Sequence, residues 1–453
     1  TAALPDAFAR PPAKRGSASG SGIMRAMSWP RKRIAWVIGS ILATLLATLV
    51  VLNLVPAQKR LEHRVERRYE TGSDDYYRAL GVLLGPPVVA GNKVVALHNG
   101  EAIFPAMLAA IRGAQRTITF ESYIYWSGTI GKEFADALSE RARSGVRVHV
   151  LLDWLGSQKI DEALLDEMRG AGMEVELYHP LSWYHVARLN NRTHRKILVV
   201  DGTIGFTGGV GIADKWRGHA QDAEHWRDSH YRVEGPVVAQ MQATFLDNWT
   251  KVSGKVLHGA DYLPSPREDG NGRAQMFSSS PDGGAESMQL MYLLAIAAAT
   301  RTIDLASAYF VPDQLTVEAL VAAMRRGVRL RVIVPGPIID TDVVRRASRA
   351  TWGPLLEAGA HIHEFQPTMY HCKVMIVDGL LVSVGSTNFD NRSFRLNDEA
   401  NLNVYDSVFA SEQTATFEAD LALARRVTLA EWQSRPWHER AIEHTASLLG
   451  GQL

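Results

Sequence analysis

The sequence predicts an α/β protein of two pseudo-symmetric α/β sandwich domains, preceded by one transmembrane helix. Three observations predict it. The pattern His-x-Lys-x-x-x-x-Asp occurs twice, as His194, Lys196 and Asp201 and as His371, Lys373 and Asp378. The flanks of the two copies echo each other over about 180 residues, a length that suits a domain rather than a solenoid repeat. Residues 34–55 form an uncharged, largely apolar run of 22 residues.

Residues 1–33 are rich in Ala, Pro, Gly, Ser and basic side chains with few aliphatics, which predicts a disordered tail. The apolar run that follows, Ile34 to Val55, makes a helix of about 33 Å, enough to span a bilayer. Val55-Pro56-Ala57 loosely resembles a signal-peptidase site. The run is nevertheless longer than a usual signal-peptide core and its basic leader is long, so an uncleaved anchor is expected. Arg25, Arg31, Lys32 and Arg33 precede it and Lys59, Arg60, Arg64, Arg67 and Arg68 follow it. Both flanks are basic, so the positive-inside rule assigns no orientation. Residues 56–91 read as a juxtamembrane linker. Within it, Leu61, Val65 and Tyr69 recur at helical spacing among charges, predicting a helix against the lipid headgroups or a solvated linker helix.

The first domain is placed at 92–260 and the second at 270–440, with a tail over 441–453. A helix Ala102–Gly113, a strand Thr117–Tyr125, a helix Gly131–Ser144 and a strand Val146–Asp153 precede the first motif strand. Arg116-Thr117-Ile118-Thr119-Phe120 is echoed by Arg301-Thr302-Ile303-Asp304-Leu305, 185 residues on. Gly145-Val146-Arg147-Val148 is echoed 182 residues on, and the motif histidines are 177 apart. The halves therefore differ by short loop changes only. Alternating helices and apolar strands argue for helices on both faces of a sheet.

Each motif enters a β-branched run, Ile197–Val200 and Val374–Val377, which reads as a buried strand. Side chains two apart on a strand share a face, so each His and its Lys point together. A nucleophile or general acid beside a fixed cation suits an anionic group such as a phosphate. Asp201 and Asp378 complete the patterns and count with the catalytic candidates. Each precedes a Gly, and Asp-Gly is also a turn signal, which gives them a structural role to fill instead.

Other residues carry less. His219, His225 and His230 fit no metal-ligand spacing and are expected on a solvated loop. His361 and His363 share a strand face without a third ligand. Trp183, Tyr184 and His185 precede the first motif and line the substrate entrance or serve ordinary packing; the sequence leaves both readings open. Cys372, the only cysteine, alternates with His371 and Lys373 and should point into packing.

With the flanks His371-Cys372-Lys373 and Gly385-Ser386-Thr387-Asn388-Phe389-Asp390-Asn391-Arg392-Ser393, the paired motifs resemble the phospholipase D superfamily. Within it the chain is similar to bacterial cardiolipin synthases, over roughly residues 92–440. The resemblance implies two pseudo-symmetric domains, one site at their interface where both histidines converge, and no metal or other cofactor. It places an acid downstream of each motif, at Asp228 and Glu399, to fix a histidine's tautomer. It makes Asn388 a phosphate-side donor, with Ser386 beside it as a second substrate-binding candidate. Gly211 stands where many relatives carry Asn, an asymmetry between the halves.

Phosphodiester exchange needs one imidazole to attack phosphorus and another to protonate the departing alcohol. Following the family's usual order, His194 is the nucleophile and His371 the acid/base, with Lys196 and Lys373 stabilising charge on the phosphoryl oxygens. The function expected is a phosphatidyltransferase of the bacterial inner membrane, single-pass, that makes cardiolipin from phosphatidylglycerol and releases glycerol. A phospholipase D that uses water or another alcohol is the second reading. A nuclease is disfavoured: 49 basic against 48 acidic residues leave a net charge of +1, with no sign of the basic face a polyanion needs. A non-catalytic scaffold is disfavoured because both motifs are complete. The expected partners are phospholipids and the bilayer, not nucleic acid, and one chain carries both half-sites, so a monomer suffices.

Overall fold

The computed structural model describes residues 31–54, 61, 63–180, 190–281 and 287–452. Trp183, Tyr184, His185 and nearly all of the expected 1–33 tail lie outside the described residues. The chain divides after Val50 into two units. The first carries most of a 24-residue helix, Arg31–Leu54. Its stretch Lys32–Leu49 is long and apolar enough to cross a membrane, and none of that stretch is buried inside the protein.

The segment after this helix departs from the helix that its spacing predicts. Among the described residues that follow, regular helix begins at Asp74 (Asp74–Leu84), where Ser73 Oγ caps the first turn by accepting from the Tyr76 amide at 3.2 Å. Before it, Val65 and Tyr69 pack in irregular chain against the core of the second half. Their apolar surface is covered by helices of that half, and the tertiary contact overrides the local periodicity.

Each half opens with a strand, Val89–His98 and Gly272–Ser279, and these two pair antiparallel. That pairing joins both halves into one 16-stranded sheet. Outward from the seam, each half repeats the same order. Three parallel strands lie at the far side, Thr117–Ser122, Arg147–Asp153 and Glu174–Tyr178 in the first half. Thr302–Ser307, Arg329–Pro335 and His361–Phe365 repeat them in the second. The helices Thr129–Arg143 and Glu162–Gly170, then Gln314–Arg325 and Asp342–Glu357, make the crossovers. The third helix–strand pair of each half is an addition to the expected order. In the first half it is short and charged, which leaves little apolar periodicity to read. The strand expected over Thr117–Tyr125 stops at Ser122, whose hydroxyl donates to Ile124 O at 2.8 Å and turns the chain.

The motif strands Ile197–Val200 and Lys373–Val377 pair antiparallel with the first parallel strand of their half and lead into hairpins. The hairpin turns explain the motif aspartates and remove them from the catalytic set. Asp201 and Gly202 have φ of 52° and 66°, Asp378 and Gly379 of 55° and 64°, which is the Asp-Gly signature of a tight primed turn. Asp201 accepts from the amides of Gln115, Arg116 and Thr117 at 2.7–2.9 Å. Asp378 accepts likewise from Thr300, Arg301 and Thr302 at 2.7–3.0 Å. Each carboxylate ties its turn to the start of the neighbouring strand, at the end away from the histidine. Asp378→Ala should therefore cost about 2 kcal/mol of stability, as charged hydrogen bonds to backbone are lost. Chemical denaturation checks the loss, and a kcat that falls while stability holds would contradict the structural role.

Alternation along the motif strands divides the interior. Leu198 and Val200 face the helices of the first half, and Met375 and Val377 those of the second. Ile197, Val199, Cys372 and Ile376 face a shared interior, with Phe409 and Phe417 from the helix Ser407–Ala422. Cys372 thus points away from its motif neighbours as expected, and burial pushes its thiol up to about 12.

The boundary expected at residue 441 falls inside a helix. A helix Trp437–Ser447 packs on Asp342–Glu357, with Glu443 paired to Arg349 at 3.0 Å and to Arg435. Beyond it, Gln452 O accepts from Arg392 Nε at 2.9 Å.

Candidate active site

Two short parallel bridges set up the site. Arg192 and Thr193 pair with Asn397 and Asp398 from the other half, and Arg227 pairs with Tyr370. The amide of His194 donates to Asp398 O at 2.9 Å, and the amide of His371 donates to Arg227 O at 2.8 Å. Each motif histidine is therefore docked against the residue that precedes the other half's acid. Arg227 is itself held by two 3.0 Å bonds to Asp420, which also accepts from Tyr370 Oη at 3.0 Å.

The acids consequently cross over. Glu399 sits 3.0 and 3.1 Å from Nδ1 of His194, while Asp228 sits 2.7 Å from Nδ1 of His371. Both carboxylates are fully buried. With Nδ1 committed to a carboxylate, each imidazole keeps Nε2 for substrate. Sequence order places Asp228 after the first motif and Glu399 after the second, and nothing in it shows the exchange.

The lysines complete each half. Lys196 Nζ donates to His194 O and Lys373 Nζ to His371 O, both at 2.7 Å. Lys373 also lies 3.1 and 3.2 Å from the His371 ring nitrogens. Burial holds His194 down to about 4 although Glu399 pulls it up, so the ring is neutral and nucleophilic at neutral pH. Burial and then Lys373 lower His371, against the pull of Asp228. Burial works to raise Asp228 and Glu399, yet the facing His371 and His194 bring both below their usual range and keep them ionised.

Burial brings Lys196 down to about 7, with Glu399 raising and Lys373 lowering it. Rising pH removes this cation from the free enzyme, so kcat/KM for an anionic substrate should fall on the alkaline side of about 7. Lys196→Arg carries a charge that does not titrate in this range. Its pH–rate profile should lack that limb, and a limb persisting there would assign it to another group.

The candidate donors fare differently. Ser386 is not open to substrate: its hydroxyl donates to Glu399 Oε2 at 2.5 Å and accepts from the Ala400 amide at 3.0 Å, with the residue fully buried. It positions the acid of His194. Asn388 keeps a buried Oδ1 without a partner, so its carboxamide is uncommitted. In the first half Gly209 and Gly211 stand at these places. A Cβ at Gly209 would lie 2.2 Å from Asp228 Oδ1, and one at Gly211 would lie 2.8 Å from Ile124 Cβ. Trp216 stands beside Ile124 at Gly211, and its Nε1 donates to Asp228 Oδ2 at 3.0 Å. Trp216 thus does for Asp228 what Ser386 does for Glu399, and with Trp226 it walls His371 at ring distances of 5.4 and 5.3 Å. Sequence reasoning missed Trp216, because no spacing links it to the motifs.

His219 is exposed, and His225 bonds Asp222 at 2.7 Å on the surface. His230 departs from the expected solvated loop: it lies buried on the strand Ser229–Glu234, both ring nitrogens unpartnered, its pKa pushed down to about 3 by burial. His361 and His363 are separated from the motif strand by two intervening strands.

A family model described as "Cardiolipin synthase, PLD-like domain" matches residues 107–249 and 292–421, one match in each half. The cardiolipin synthase of Geobacillus kaustophilus is 36% identical over 370 residues, 81% of this chain and 74% of that protein. The chain belongs to the phospholipase D-like cardiolipin synthase family. The major cardiolipin synthase ClsA of Bacillus subtilis is 34% identical over 363 residues, 79% of this chain and 75% of the relative. The crystal structure of phosphatidylserine synthase from Haemophilus influenzae overlays with a TM-score of 0.64, covering 84% of this chain and all of that one, at 14% identity. At that identity the likeness shows a shared fold. Both halves of the family's duplicated domain are thus present, and an apolar N-terminal helix accompanies them, consistent with association with a membrane.

Proposed function

We propose that this family member is a single-pass enzyme of the bacterial inner membrane that joins two phosphatidylglycerols into cardiolipin and releases glycerol. The observation that carries the chemistry is the crossed pair, His194 with Glu399 and His371 with Asp228, each beside a buried lysine. His194 Nε2 attacks the phosphorus of the donor lipid, and the bond from phosphorus to the glycerol oxygen breaks. That oxygen takes the proton of His371. The anionic phosphodiester offsets the charge of Lys373, the cation that lowers His371, and so favours the protonated ring that this step requires. The phosphatidyl group is then held on His194. His371 removes the proton from a hydroxyl of the second phosphatidylglycerol, whose oxygen attacks phosphorus and displaces His194 Nε2. Lys196 and Lys373 oppose the charge that builds on the non-bridging oxygens in both steps.

The apolar helix Arg31–Leu54 favours a lipid substrate, because tethering raises the local concentration of bilayer phosphodiesters and does little for a soluble one. Both half-sites come from one chain, so no second copy is needed to complete the chemistry. Purified enzyme in phosphatidylglycerol vesicles should release glycerol and form cardiolipin in equal amounts. Phosphatidic acid as the main product, with glycerol but without cardiolipin, would identify a phospholipase D instead.

A further inference from the structure

Arg192 is a buried charge that the steps above do not use. It is 3% exposed, and among the described residues none of its three guanidinium nitrogens has a hydrogen-bond partner. Among the described residues its ion pair is a long one, Nη1 to Asp153 Oδ1 at 3.7 Å. The Asp153 oxygens are already engaged, accepting from the amides of Leu155, Gly156 and Thr193 at 2.9–3.0 Å. Buried polar groups are normally hydrogen-bonded. A guanidinium with all its donors unused has the planar fork that binds a phosphate through two oxygens.

Its place borders the reacting centre. Arg192 lies two residues before His194 on extended chain, so the two share a face about 7 Å apart. The ring of Tyr123 stands edge-on to His194 at 5.1 Å. Burial and Asp153 raise its phenol, while the charges of Arg392 and Arg192 act to lower it.

The halves differ at this position. Thr193 and Tyr370 hold equivalent places, since each pairs with the residue before the other half's acid. Arg192 therefore corresponds to Met369, which is 1% exposed and packs in an apolar core. One flank of the shared site is cationic and the other is not. A reaction between two identical lipids needs such a difference. The donor's phosphate is the one transferred. The acceptor brings a hydroxyl and its own phosphate, one glycerol away, which must be held without reacting.

We propose that Arg192 binds the phosphodiester of the acceptor lipid and so selects a phosphate-bearing alcohol over water and free glycerol. The inference rests on the phosphatidyltransferase reading and makes Arg192 a specificity-determining residue of that site. Two assays on the full chain in phosphatidylglycerol vesicles separate the roles. Exchange of labelled glycerol into phosphatidylglycerol uses the donor site and a small acceptor. Cardiolipin formation needs the acceptor phosphate as well. In Arg192→Met, cardiolipin formation should fall at least about ten-fold through a raised KM for the acceptor, while glycerol exchange stays within about two-fold; Arg192→Lys should recover part of the loss. Equal loss of both activities, or loss of neither, overturns the proposal. A measurement on the unsubstituted enzyme does not depend on how the variant folds. Glycerophosphoglycerol and glycerol, competed as acceptors at equal concentration, should differ at least about ten-fold in favour of the phosphodiester. Equal use of the two overturns the acceptor site. Absence of transfer to any alcohol would instead overturn the broader phosphatidyltransferase reading.

Discussion

Phosphatidyl transfer should fall by at least about 10^4-fold in His194→Ala, because the atom that accepts the phosphatidyl group is gone. His371→Ala should lose about 10^3-fold or more, the cost of departing and attacking alcohols without a proton donor and acceptor. The substitutions remove the ring contacts of His194 with Tyr123 and of His371 with Trp216 and Trp226, while the backbone bonds of His194 to Asp398 and of His371 to Arg227 remain available. The variants should still fold, with a lowered thermal midpoint, because Glu399 or Asp228 is left buried without its facing ring. Activity surviving in either variant would mean that one half-site suffices.

The second large effect follows from the exchange of acids. Asp228→Asn and Glu399→Gln should each reduce turnover by about 10^3- to 10^4-fold, as a carboxamide fails to hold the tautomer and to stabilise an imidazolium. Their kinetics should differ in a way that reveals the crossing. Asp228 serves His371, so Asp228→Asn impairs protonation of the leaving group. A phosphatidyl ester of p-nitrophenol needs no such protonation and should restore rapid release in that variant. Glu399 serves the nucleophile His194, and the activated ester should not rescue Glu399→Gln. If each acid served the motif it follows in the chain, the rescue would appear in the other variant.

Much of this site was legible in the sequence because strands and duplications leave periodic marks. The doubled motif, its β-branched runs and the offsets between the halves located both His–Lys pairs, and Asp228 and Glu399 were found through the family pattern. The pairing of those acids was not legible. His194 meets a residue 205 positions away and His371 one 143 positions away, and such contacts follow from two bridges of one or two residues each. Ser386 sits in the expected loop, but its hydroxyl is turned onto Glu399, a direction that spacing does not encode. Trp216 matters through the bond it gives Asp228, and Arg192 through its unused donors and its contrast with Met369 in the other half; no spacing marks either. For Asp201 and Asp378 the sequence offered both readings, and the positive φ at each with its three amide donors decides for the turn. Val65 and Tyr69 show the converse error, a helical period produced by residues that tertiary packing uses in irregular chain.

A single shared site with histidines in unequal roles is tested most directly by trapping the intermediate. Enzyme carrying His371→Ala, mixed with phosphatidyl-p-nitrophenol labelled at phosphorus, should be quenched in alkali and digested to peptides. Label on the peptide that contains His194, together with none on the protein when His194→Ala is treated in the same way, is the predicted result. Label on the His371 peptide of His194→Ala, or no acid-labile label in any variant, would contradict it.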